Sequence, residues 1–156
     1  MPSLPLEIKL VDYDDENQTQ ALLALLDHYA NDPMGGGTPL SKTTQANLIP
    51  QLKSYPQVFS LLCYHQDRAI GLANCIESFS TFSAKPVINI HDIVVLSAFR
   101  GAGVGKRLLS AIEEIARTKG CAKLTLEVLE GNPIAQKVYA NFGFEGYALQ
   151  PSTGQA

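Results

Sequence analysis

The chain has 156 residues, the length of one ordinary domain that can bury a sizeable core without covalent staples. Its 46% apolar and 17% charged residues are those of a soluble globular protein, with no apolar run long enough to cross a bilayer. A net charge of −3 with no block of like charges disfavours nucleic acid, which needs a basic face, and is compatible with a cationic partner.

Along the chain, residues 6–11 alternate apolar and polar and predict a first strand. Asp14 or Asp15 is placed to cap a helix running to about Tyr29, with Leu22, Leu25, Leu26 and Tyr29 on one face. A breaker-rich loop, residues 31–39, holds Gly35, Gly36 and Gly37 and is followed by a weaker helix over 41–53. Residues 58–64 and 69–77 predict two strands joined by the turn His65-Gln66-Asp67-Arg68. Residues 87–96 form a long β-branched strand. Val104, Leu108, Ile112 and Ile115 recur at helical spacing, Glu113 can pair with Arg117, and Gly120 stops that helix. A strand over 122–129, a helix opening at Asn132-Pro133 and ending at Gly143, and a strand over 144–149 complete the order β-α-α-β-β-β-α-β-α-β. A hairpin sheet that then takes parallel crossovers is a mixed antiparallel/parallel α/β architecture with flanking helices, in a single domain over residues 1–156.

The segment that carries chemistry is Arg100-Gly101-Ala102-Gly103-Val104-Gly105-Lys106, between a strand and a helix. The first amides of a helix lack intrahelical partners and carry partial positive charge. Glycines let a phosphate approach them, and Arg100 and Lys106 add full charges. The spacing fails two nucleotide patterns. In a Walker A loop Gly101 and Gly105 would stand one residue too close, with Arg107 in the magnesium-holding Ser/Thr place. A Rossmann fingerprint would need glycine where Lys106 stands.

This loop resembles the Arg/Gln-x-x-Gly-x-Gly/Ala pyrophosphate loop of the Gcn5-related N-acetyltransferase (GNAT) superfamily, with Arg100, Gly103 and Gly105 on the defining positions. The preceding strand His91-Asp92-Ile93-Val94-Val95 and the later pattern Asn132, Ala135, Tyr139, Gly143-Phe144 match at family spacing, so the resemblance covers about residues 86–147. The strand is nearest to that of the polyamine and thialysine branch, except that His91 stands where that branch carries glutamate. The resemblance implies the acyl-CoA N-acyltransferase fold and transfer of an acetyl group from acetyl-CoA to a primary amine by direct attack, without a metal. It implies that the backbone of Ile93, Val94 and Val95 pairs with the pantetheine arm. Amides of Gly101, Ala102, Gly103, Val104, Gly105 and Lys106, with Arg100, would hold the pyrophosphate. Asn132 and Ala135 would face the cofactor from the last helix, and Tyr139 would return a proton to the CoA thiolate. A phenol near pKa 10 suits that last role.

A cationic acceptor must lose a proton before attack, and His91, Asp92 and Glu77 are the candidate bases. In a regular strand His91 and Asp92 would point to opposite faces. Asp32, in the loop where this fold places acceptor-binding residues, is a further candidate to meet a cation. His28 and His65 have no metal-ligand spacing, and Cys75 has no base beside it to make it an acyl-carrying nucleophile. Cys63, Cys75 and Cys121, odd in number and without a C-x-x-C pair, argue against disulfides and a zinc site. The start of the chain shows no secretory signal, so the cytoplasm is the expected location. The family's usual last strand has no counterpart after residues 144–149, and the edge this would leave predicts a homodimer. The competing reading is a non-catalytic acyl-CoA-binding regulatory module, which would keep the glycine loop and lose turnover.

Overall fold

The computed structural model describes residues 5–32 and 37–126 of the chain. They form one five-stranded sheet in the order β1-β2-β3-β4-β5, with β1 at Leu6–Leu10, β2 at Val58–His65, β3 at Arg68–Ser80, β4 at Lys85–Val95 and β5 at Lys123–Leu126. Neighbours are antiparallel through β4, and β5 joins β4 in parallel with Val87 opposite Lys123 and Ile90 opposite Leu126. The expected mixed architecture is thus the one observed. The expected helix from Asn132 and strand over 144–149, with Asn132, Ala135 and Tyr139, lie outside the described residues.

Local chemistry sets the helix ends. Helix α1 (Glu16–Asn31) starts at Asp15, whose carboxylate accepts from the Gln18 amide at 3.1 Å. Helix α2 (Lys42–Ser54) starts at Ser41, whose hydroxyl accepts from the Thr44 amide at 3.0 Å. Helix α3 (Val104–Lys119) ends at Gly120, which adopts φ 72°, the left-handed conformation glycine takes without strain. Between β2 and β3, His65 lies opposite Arg68, so Gln66 and Asp67 make a two-residue turn, with Gln66 at φ 56°.

The sheet has a core on each face. On one side α3 lays Val104, Leu108, Leu109, Ile112 and Ala116 against Leu61, Cys63, Ala73, Cys75, Ile88 and Ile90. On the other, α1 buries Leu22 and Leu25 against Leu62, Leu72 and Val94, with Leu48, Ile49 and Leu52 of α2 packed beside them. Each fully buried Leu or Ile contributes about 1.5–3 kcal/mol relative to exposure.

One irregularity decides how the site is built. Asn74 lies opposite Asp92 but Cys75 lies opposite Ile90, which leaves His91 as an extra residue in β4. This β-bulge shifts the phase of the strand. Before it, Ile88 and Ile90 point into the α3 side. After it, Val94 points into the α1 side although its number has the same parity. The bulge thereby brings His91 and Asp92 onto the same, α1-facing side of β4, in place of the opposite faces a regular strand would give.

Candidate active site

The glycine loop is anchored at both ends. The Leu96 amide donates to the Ile70 carbonyl at 2.9 Å where β4 ends. A single 3₁₀ turn at Ser97–Phe99 follows. The Arg100 amide donates to Ser97 O at 3.3 Å and the Ala102 amide to Phe99 O at 3.2 Å. Gly101 and Gly103 then adopt φ 85° and 86°, where a side chain would be strained. Buried Val104, Leu108 and Leu109 clamp the start of α3 to the sheet.

Gly103 is the N-cap of α3 and offers no side chain, so among the described residues no side chain caps the first-turn amides. Gly105 lies inside the helix with ordinary φ, and a Cβ built on it meets nothing within 4 Å. Packing therefore does not require glycine there, and alanine would favour the helix by about 1 kcal/mol. An uncapped helix start with open space over it suits a phosphate group. Lys106 is exposed beside it. Arg107 turns away, its Nη2 donating to the Leu6 carbonyl at 3.3 Å. Arg100 pairs with Asp32, the C-cap of α1, at 3.4 Å, so Asp32 faces a cation of this chain and links α1 to the loop.

The polar face lies one residue row along the sheet. Ser60, Asn74 and Asp92 stand side by side across β2, β3 and β4, next to the apolar row Leu62, Leu72 and Val94. The Asn74 Nδ2 amide donates to Asp92 Oδ2 at 3.1 Å. Ser60 Oγ donates to Asn74 Oδ1 at 2.6 Å, and Tyr13 OH lies 2.8 Å from Ser60 Oγ. Tyr29, near the end of α1, has its hydroxyl pKa raised by burial, then by the charges of Asp92 and Asp32. Both carboxylates thus act on one phenol beside the sheet. His91, exposed on the bulge, flanks Asp92.

The other candidates are placed elsewhere. Glu77 follows Ala73 and Cys75 on the α3 side of β3 and pairs with Lys119 at 3.0 Å, on the opposite face from Asp92. Cys75 is 1% exposed, and its thiol is pushed up to about 12 by desolvation and then by the Asp92 charge. A thiol so held is not a nucleophile near neutral pH. The His65 ring lies tilted against Phe99, with centroids 5.9 Å apart, and its Nδ1 is 3.2 Å from the Pro5 carbonyl. His28 is exposed on α1. Among the described residues no cluster of three or more His, Cys, Asp or Glu side chains is arranged to hold a metal ion, and no helix is long and apolar enough to cross a membrane.

Sequence reasoning missed the bulge, the Tyr13–Ser60–Asn74 chain and the Arg100–Asp32 pair. A signal for the second was present: Ser60 and Asn74 are polar residues inside otherwise apolar strands, at positions that turn out to face inward.

The model of the acetyltransferase (GNAT) family matches residues 22–144. The chain belongs to this family. It is 30% identical over 138 residues to a glucosamine 6-phosphate N-acetyltransferase of Trypanosoma brucei brucei, covering 87% of this chain and 88% of that one. It is 30% identical over 92 residues to a thialysine N-epsilon-acetyltransferase of Bos taurus, covering 50% and 54%. Its fold superimposes on an aminoglycoside N-acetyltransferase solved in complex with CoA, with a TM-score of 0.75, 21% identity and coverage of 94% and 92%. This GNAT protein is therefore an acyltransferase enzyme of a family that uses acetyl-CoA, and the reading as a non-catalytic module is set aside.

Proposed function

We propose that this GNAT enzyme transfers the acetyl group of acetyl-CoA to a cationic primary amine by direct attack. The observation that carries the reading is Gly105, a helix-weakening residue with open space over it at the uncapped start of α3. Its place beside the end of β4 suits a pyrophosphate held by the amides of Gly101 to Lys106 and by Lys106 itself. Arg100, paired with Asp32, joins that loop to the end of α1. Backbone of Ile93, Val94 and Val95 would pair with the pantetheine arm, with an amide near Val94 facing the carbonyl oxygen as charge develops on it. Asn132 and Ala135 would complete the cofactor contacts.

The amine is bound beside Asp92 on the α1 side of β4, where the carboxylate holds the ammonium group and takes its proton. His91 shares that face through the bulge and borders the amine. The freed nitrogen lone pair attacks the thioester carbonyl; the N–C bond forms, the C–S bond breaks, the thiolate takes the Tyr139 proton, and the second proton lost by the new amide nitrogen restores the Tyr139 phenol. The raised thiol of buried Cys75 supports direct attack over an acyl-cysteine route. The relatives' names supply the amines to try first: glucosamine 6-phosphate, thialysine and an aminoglycoside.

The test is thiol release from acetyl-CoA with each of these amines, with the product identified by mass. The expected result is amine-dependent release and an N-acetyl product. Acetyl-CoA binding with no amine-dependent release would contradict the reading.

A further inference from the structure

The row Ser60, Asn74, Asp92 sits where the neighbouring row Leu62, Leu72, Val94 is apolar. An apolar triple would pack there with little or no loss of stability, because replacing all partners of a buried hydrogen bond together is nearly neutral. Stability alone therefore does not account for a buried hydroxyl at Ser60, which is 1% exposed.

The direction of the chain does. The hydroxyl of Ser60 has one proton, and the 2.6 Å contact to Asn74 Oδ1, which can only accept, uses it. Tyr13 OH must then donate to Ser60 Oγ across their 2.8 Å. With its oxygen turned to Ser60, Asn74 presents its amide N–H to Asp92 Oδ2 at 3.1 Å. Every donor points toward the carboxylate. Among the described residues Asp92 Oδ1 takes no hydrogen bond, and Asp92 is only part-buried on the bulged strand. An asparagine amide does not pass a proton on, so the chain orients the carboxylate and does not relay.

We infer that Tyr13, Ser60 and Asn74 are positioning residues that lock the Asp92 carboxylate through Oδ2 and leave Oδ1 to receive the N–H of the acceptor ammonium. The inference rests on the amine-acetylating reading above and deepens it by assigning residues that never touch the substrate. The two bulge neighbours differ in support: Asp92 is held by this chain, whereas His91 is exposed.

The experiment is steady-state kinetics with saturating acetyl-CoA and glucosamine 6-phosphate, thialysine or an aminoglycoside. The variants are Asn74→Leu, Ser60→Ala and Tyr13→Phe, each alone and combined with Asp92→Asn. Melting temperature and acetyl-CoA affinity are followed in parallel. Expected is a fall in kcat/KM for the amine graded by distance from Asp92, about tenfold to hundredfold for Asn74→Leu and smallest for Tyr13→Phe, with acetyl-CoA affinity kept. In the Asp92→Asn background the same changes should cost nothing further. Losses that multiply in the double variants, or an Asn74→Leu enzyme as active as the parent while Asp92→Asn is impaired, would overturn the positioning role alone. Full activity of Asp92→Asn, or no turnover of any of the three amines, would overturn the Asp92 reading and this role with it. Tyr13→Phe removes a single hydroxyl and keeps the test open should Asn74→Leu not fold.

Discussion

Val104 of α3 lies so close over Gly71 of β3 that a Cβ on the glycine would fall 2.5 Å from Val104 Cγ1, with Cys63 Cβ and Leu108 Cδ1 each at 3.3 Å. The helix that opens at the glycine loop thus rests directly on backbone. Gly71→Ala would lift its first turn, at a cost of about 1–3 kcal/mol by overpacking, and move the loop. The expected outcome is a lower unfolding midpoint together with weaker acetyl-CoA binding. Val104→Ala in the same chain should recover part of the loss, a non-additivity that denaturant titration of the double variant would reveal.

Gly103 and Gly105 make a sharper pair. Neither has an atom within 4 Å of an added Cβ, but only Gly103 has positive φ. Gly103→Ala should cost about 1–2 kcal/mol through its left-handed backbone. Gly105→Ala should leave stability unchanged or raise it by up to about 1 kcal/mol, yet weaken acetyl-CoA binding measurably by calorimetry. Equal cofactor affinity in Gly105→Ala would remove the argument that the open space serves a ligand.

Much of this was legible in the sequence. The order of elements through β5, a cap at Asp14 or Asp15 that falls on Asp15, the Gly120 stop and the Glu113–Arg117 pair, 2.7 Å apart in the structure, follow from local rules that neighbouring residues satisfy on their own. The bulge at His91 does not, because it is a mismatch between two strands and shows only once Asn74 and Asp92 are in register. The alternation rule therefore put His91 and Asp92 on opposite faces, where tertiary pairing puts them on one. The pairs Asn74–Asp92 and Arg100–Asp32 bridge 18 and 68 positions, beyond any local pattern.

Cys75 offers a check on the chemistry. Buried to 1% exposure with its thiol near 12, it stays protonated at neutral pH. It should resist thiol reagents in the folded protein and become reactive on denaturation. Cys75→Ala should keep turnover within a few-fold of the parent, and mass analysis should find no acetylated enzyme. An acetyl group on Cys75 during turnover would contradict direct attack.

For Tyr139 the account predicts a split between binding and chemistry. Tyr139→Phe should retain acetyl-CoA affinity while kcat falls by about a hundredfold, the usual worth of one proton donor. An unchanged kcat would remove Tyr139 from the mechanism.

The most direct measurement of the central claim is a thermal-shift titration with acetyl-CoA, CoA, ATP and NAD in parallel. A ligand at about 100 times its dissociation constant stabilises the folded chain by roughly 2.7 kcal/mol, which raises the melting point by several degrees for a domain of this size. The account predicts a shift with acetyl-CoA and CoA and none with NAD or ATP. No shift with either CoA species, or a larger one with NAD, would contradict the assignment of the Arg100–Lys106 loop as the acyl-CoA site.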